Sequence, residues 1–160
     1  MEKVGHAKLR TPLRQLAFVV IALAGAHSRA AVPPTKLALT LQHRDGAVLV
    51  SLANLGNSAP LVNSRLSSGG PQPELTFFIT DGSRSYPAVG SGMPAPLFKE
   101  HYIRLLPARS TGVVYFDSIL KIMHQLPAGC YNVHARYQEL THLVKSFPGH
   151  LDSNSIRVCL

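Results

Sequence analysis

The chain is expected to fold as an antiparallel β-sandwich of seven or eight short strands, and three observations carry that expectation. Apolar and polar residues alternate at period two in several stretches, as in half-buried strands. Turn formers separate those stretches at intervals of about ten residues. Twelve prolines and twelve glycines among 160 residues interrupt the chain too often for long helices. One domain, placed at 33–160, accommodates all the strands.

The first segment stands apart from that domain. MEKVGHAKLRTPLRQ carries Lys3, Lys8, Arg10 and Arg14 ahead of the apolar run LAFVVIALAGA, and small residues follow at Ala24, Ala26, Ser28 and Ala30. A basic region, a short apolar region and an A-x-A-like site in that order predict a secretory signal peptide over 1–26, with later cleavage sites up to residue 31. The apolar run is well short of the roughly twenty residues that a permanent span requires, so no stable membrane span is expected. Export to the periplasm or beyond follows.

The strands can be placed one by one. In KLALTLQH, Leu37, Leu39 and Leu41 alternate with polar residues, and Asp45-Gly46 then gives a hairpin turn into AVLVSLAN, where Val48, Val50 and Leu52 share a face. LVNSRL is a short strand before an exposed loop at Ser67 to Pro73. ELTFFIT is a strand ending in a second D-G turn at Asp81, and Tyr86 to Phe98 is an irregular crossing loop rich in proline and glycine. HYIRLL and TGVVYFD are strands flanking the turn at Pro107 to Ser110. DSILKIMHQL is the one stretch at helical spacing, with Ile119, Ile122, Met123 and Leu126 forming a stripe suited to packing on the core. CYNVHARYQ and NSIRVCL are the last two strands, and LTHLVKSFPGHLDS joins them.

Charge excludes some functions. Loss of 1–26 removes four basic residues and Glu2, which lowers the formal charge from +8 to about +5. The basic residues that remain are scattered, whereas a nucleic-acid binder clusters them among aromatics, so no nucleic-acid partner is expected. There is no G-x-S-x-G, no C-x-x-C and no H-E-x-x-H, and acidic residues are few; no enzymatic activity and no cofactor are expected.

Two features invite chemistry and are better read otherwise. Cys130 and His134 share a face of one strand, but four residues of strand separate them by roughly 13 Å, too far for a nucleophile and its base. Pairing the last two strands so that Cys130 faces Cys159 also sets Tyr131 against Val158 and Val133 against Ile156, aligning both apolar rows. That register, in an oxidising compartment, favours a disulfide over two unlinked or reactive thiols. Among the histidines, cleavage after Ala26 would leave His27 at the N-terminus, where amine and imidazole together chelate copper. A periplasmic copper-binding protein is therefore the alternative function.

Leu126, Gly129 and Tyr131 resemble the tyrosine corner of Greek-key sandwiches, in which a tyrosine early in the penultimate strand bonds back to upstream backbone. More broadly, LVSLANLGNSAP, YIRLLPARSTGVVYFD, LPAGCYNVHARY and PGHLDSNSIRV resemble segments of bacterial extracytoplasmic immunoglobulin-like modules. A related pattern occurs in the N-terminal pro-region of deuterolysin-like zinc endopeptidases. Pro107-Ala108 stands where that pattern has proline-glycine, and the metalloprotease domain is missing. The resemblance implies an immunoglobulin-like Greek-key fold and a freestanding, non-enzymatic binding or accessory domain for a protein partner, with a protease as one such partner. Loops at Ser67 to Pro73, Tyr86 to Phe98 and Leu140 to Asp152 are the expected contact surfaces, with Met93, Leu97 and Phe98 as a candidate recognition element.

Overall fold

A computed structural model describes residues 36–69, 73–89, 98–139 and 147–160. Residues 1–26, expected as a signal peptide, and His27, Met93 and Leu97 lie outside them. The described residues are all-β apart from one short helix and a 3₁₀ turn at Lys99–His101, and every strand pairing is antiparallel.

Strands β1 (Leu37–Arg44) and β2 (Ala47–Asn54) form the expected first hairpin. Asp45 and Gly46 both adopt positive φ, 53° and 72°, which is the turn whose twist matches its flanking strands. Alternation buries Leu37, Leu39 and Leu41 beside Val48, Val50 and Leu52. After β3 (Leu61–Asn63), β4 (Leu75–Thr80) and β5 (Tyr102–Arg104), strand β6 (Ser110–Phe116) returns to β2 and completes a three-stranded sheet in the order β1-β2-β6. Strands β3 and β5 pair as a two-stranded ribbon.

Helix α1 (Asp117–His124) follows β6 directly, buries Leu120 and His124, and ends at Gln125, whose φ of 49° stops the helical path. Strand β7 (Cys130–Gln138) then forms the middle of the second large sheet. Strand β4 lies on one side of it; β8 (His150–Asp152) and β9 (Ile156–Cys159) lie end to end on the other. The inward rows of both large sheets share one apolar core, in which Leu52, Leu75, Ala135 and Tyr137 are fully buried.

The segment before the final strand differs from its expected form. His150–Asp152, read from sequence as part of a joining loop, is a strand paired to residues 136–138 of β7. Between β8 and β9, side chains take over from the backbone. The Ser153 hydroxyl accepts the Ala135 N–H at 2.8 Å while the Ser153 N–H donates to the Ala135 carbonyl at 2.9 Å. Asn154 reaches the other sheet: its Oδ1 accepts the Leu41 N–H at 2.8 Å and its Nδ2 donates to the Leu41 carbonyl at 3.0 Å. The Ser-Asn pair thus continues one edge and covers part of another, because buried backbone groups need partners. The described residues hold nine short strands, two of which form a single interrupted edge, against seven or eight expected.

Candidate functional site

Cys130 and Cys159 face each other across β7 and β9 and form a disulfide with a Cα–Cα distance of 4.0 Å. The neighbouring pair, Gly129 and Leu160, exchanges both backbone hydrogen bonds at 3.0 and 2.8 Å, so the cysteines occupy a non-hydrogen-bonded pair, where Cα atoms approach closely. Both cysteines lie on the exposed side of the sheet, while Tyr131 and Val158 point into the core. The Tyr131 hydroxyl donates to the Pro127 carbonyl at 2.6 Å, four residues upstream. Leu126 is buried beside this corner, and a Cβ at Gly129 would stand 3.3 Å from the Tyr131 hydroxyl. These groups serve architecture.

His134 has a different role from the one its spacing to Cys130 suggests. It lies opposite Phe78 in the register of β4 and β7, and the two rings stack in parallel, 4.7 Å apart and 9° from coplanar. The Arg136 guanidinium lies 5.6 Å from the centre of the same phenyl ring. Asp152, opposite Arg136 on β8, accepts from its Nε at 2.7 Å and from its second terminal nitrogen at 3.2 Å. Each holds the other charged, with the Asp152 carboxyl below its ordinary range and the Arg136 guanidinium above. Phe78 remains 39% exposed, so the sheet presents an aromatic surface with a cation already oriented on it.

A recess of about 360 Å³ adjoins this surface, lined by Phe77, Phe78, Thr80, Tyr86, Pro87 and His134 among others. Its far wall is the segment that follows the Asp81-Gly82 turn. The Asp81 carboxylate accepts from the Arg84 and Ser83 N–H groups at 2.8 and 2.9 Å and from the Tyr86 hydroxyl at 2.8 Å. Those donors hold the Asp81 carboxyl well below the usual carboxylate range. The Tyr86 N–H donates to the Ile79 carbonyl at 2.8 Å and its ring meets Tyr131 edge-on, which ties the wall to both β4 and the tyrosine corner. Arg84 lies 5.2 Å over the Tyr86 ring at the rim. The recess is therefore fixed by hydrogen bonds and rings within the described residues.

Behind it, a second cavity of about 510 Å³ is bounded by Arg84 to Pro87, Val89 and the end of α1. His124 is 3% exposed there; its Nδ1 lies 2.7 Å from the Tyr86 carbonyl, to which it donates, and its Nε2 is buried with no hydrogen-bond partner. Burial pushes the His124 pKa down and keeps the ring neutral. A further histidine, His43, sits 2.9 and 3.1 Å from the two carboxylate oxygens of Asp117. The buried Glu74 is engaged by Arg65 and by Asn63 Nδ2, and the Asn63 N–H donates to the Tyr137 hydroxyl. Each of these polar groups lies between elements and holds them together.

Of the candidate recognition residues, only Phe98 is described; it is 54% exposed, and its ring meets His101 at 5.6 Å. Among the described residues no group of three or more His, Cys, Asp or Glu could hold a metal ion, and no helix is long and apolar enough to cross a membrane. Sequence reasoning did not single out Phe78, Arg136, Asp81 or Tyr86. One signal was available for Phe78: two adjacent phenylalanines in a strand cannot both face the core. Comparison of the chain with protein-family models and with curated proteins finds no match.

Proposed function

We propose that this chain is an exported, immunoglobulin-like accessory domain that binds a protein partner and catalyses no reaction. The stacked Phe78 and His134 pair, with Arg136 over the same ring and an apolar recess beside it, is the observation that carries this reading. The partner chemistry that fits is an apolar side chain entering the recess beside a carboxylate that meets Arg84 or the outer edge of Arg136. A rigid aromatic anchor flanked by cations, mounted on a sheet, is the arrangement that concentrates binding energy at protein interfaces. A protease is one such protein partner.

Support for an immunoglobulin-like Greek key comes from the strand pairings. If β1, β2 and β6 correspond to strands A, B and E, and β4, β7 and β9 to strands C, F and G, the two sheets have the A-B-E and C-F-G neighbours of that fold. The bond from Tyr131 to Pro127 lies where that fold carries its tyrosine corner.

A photoreactive residue placed at Thr76, beside Phe78 on the outer face of β4, tests the function in the compartment where the protein resides. A single covalent partner should appear, and the purified partner should bind the Phe78→Ala variant at least about tenfold more weakly than wild type, since the substitution removes a stacked, half-buried ring. Equal affinity for the two would overturn the proposed surface.

A further inference from the structure

The three-stranded sheet has an edge that nothing in the described residues covers, and its direction can be worked out. Both backbone groups of Leu41 are taken by Asn154, so they point away from β2. Leu41 lies opposite Val50, which makes that a non-hydrogen-bonded pair and turns Val50 towards β6. Val50 lies opposite Val113, so Val113 faces β2, and its neighbours Gly112 and Val114 turn their N–H and C=O groups outward, as Phe116 does its N–H; the Phe116 carbonyl, at the N-cap of α1, is taken by the first turn of the helix. The same parity is visible at both ends of the strand, where the Asn54 N–H donates to the Arg109 carbonyl and the Asp117 N–H to the Gly46 carbonyl. Beyond β2, β6 has no strand partner among the described residues.

That edge lacks the usual protections. The strand STGVVYF holds no charge and no proline, whereas open edges are normally guarded by one or the other. The opposite edge of the same sheet is covered in part by Asn154, and the free side of β4 by the Tyr86 N–H and the bridge from Thr80 to Ser85. On the outer face, Val114 is 51% exposed and Phe116 60%. Next to them lies a depression of about 390 Å³ bounded by Thr40, Leu49, Ser51, Ser110, Gly112 and Val114. Its floor is open because residue 112 has no side chain, and a Cβ there would stand 2.6 Å from the Val50 carbonyl oxygen.

We infer that β6 pairs antiparallel with β6 of a second copy of this chain, joining two three-stranded sheets into one across a two-fold axis through Val114. The strand is complementary to itself in that register. Gly112 falls opposite Phe116 of the second copy, Val114 opposite Val114, and Phe116 opposite Gly112; the central pair exchanges both backbone bonds, and each Phe116 N–H donates to the Gly112 carbonyl that faces it. Phe116 of each copy then covers the glycine depression of the other, as an aromatic ring does for a glycine across paired strands. A two-fold axis requires such a self-complementary patch. Because the strand is uncharged, the net positive charge of the chain does not set like charges against each other at the axis. This surface is separate from the Phe78 platform on the other sheet, so the two proposals stand or fall independently.

Edge pairing over so short a strand belongs to the small, transient class of interfaces. Sedimentation velocity on the purified protein from about 1 to about 500 µM should show a reversible monomer–dimer equilibrium. Val114→Lys places two ammonium groups at the axis and counts twice in a symmetric dimer, so dimerisation should weaken at least about 100-fold. Phe116→Ser should weaken it similarly, Val89→Lys should leave it unchanged, and far-UV circular dichroism should match wild type throughout. If Val114→Lys alone misfolds, Phe116→Ser decides. A wild-type protein that stays monomeric at about 500 µM, or a dimer that survives in the folded variants, would overturn the pairing and leave the edge to a strand from a different protein.

Discussion

Removing the bond between Cys130 and Cys159 is the perturbation whose cost follows most directly from the structure. The bond links residues 29 apart in sequence, and a loop of that size gives a chain-entropy stabilisation of about 3.5 kcal/mol. Little in the native state should change on its removal: both cysteines are on the exposed side of the sheet, and β9 keeps its pairing to β7. The double variant Cys130→Ser, Cys159→Ser should therefore fold, with its loss appearing in the unfolding equilibrium. At a urea dependence of about 2 kcal/mol per molar for a domain of this size, the midpoint should fall by about 1.5 to 2 M with an altered slope, because the unfolded chain becomes less compact. Intact mass of the purified protein, alkylated with and without prior reduction, should show thiols only after reduction, and the same spectrum tests the proposed removal of an N-terminal segment. A midpoint shift below about 0.5 M, or two alkylatable thiols before reduction, would refute the reasoning.

Two further outcomes are expected. Asn154→Ala leaves both backbone groups of Leu41 without their partners at the join between the large sheets, and should cost about 1 to 3 kcal/mol, read as a urea midpoint; a change below about 0.3 kcal/mol would contradict that role. His124 should make stability depend on pH with a definite sign: its folded pKa lies below the ordinary value near 6.5, so the unfolded chain binds the extra proton first, and stability falls as pH drops from about 7 through 6.5 towards the folded pKa. His124→Asn keeps a donor for the Tyr86 carbonyl but cannot titrate, so its midpoints at pH 7.5 and 5 should differ less than those of wild type, and an equal difference would remove His124 as the cause.

Much of the architecture was legible because it is local. Period-two alternation gave β1 the row Leu37, Leu39 and Leu41 and β2 the row Val48, Val50 and Leu52, which share the inward face once the Asp45-Gly46 turn pairs the strands. The cysteine register was legible for a related reason: a shift of one residue would have turned Tyr131 and Val158 out of the core. The stretch His150–Asp152 was misread since three residues carry too little pattern to reveal a strand, and Ser153 and Asn154 look like ordinary turn formers until the strands they serve are in place. The site was less legible than the fold. Phe78, His134 and Arg136 come from strands more than fifty residues apart, and only the pairing of β4 with β7 brings them onto one surface.

The sequence by itself determined the all-β character, the inward row of each long strand and the partner for each cysteine. Those properties depend on alternation and apolar burial, which operate residue by residue along a strand. Tertiary structure alone decided that His134 stacks on an aromatic ring, that Asn154 closes the edge of β1 and that β6 is left with its backbone facing outward. Those outcomes depend on which strands become neighbours, and that choice is made by packing two sheets over one core.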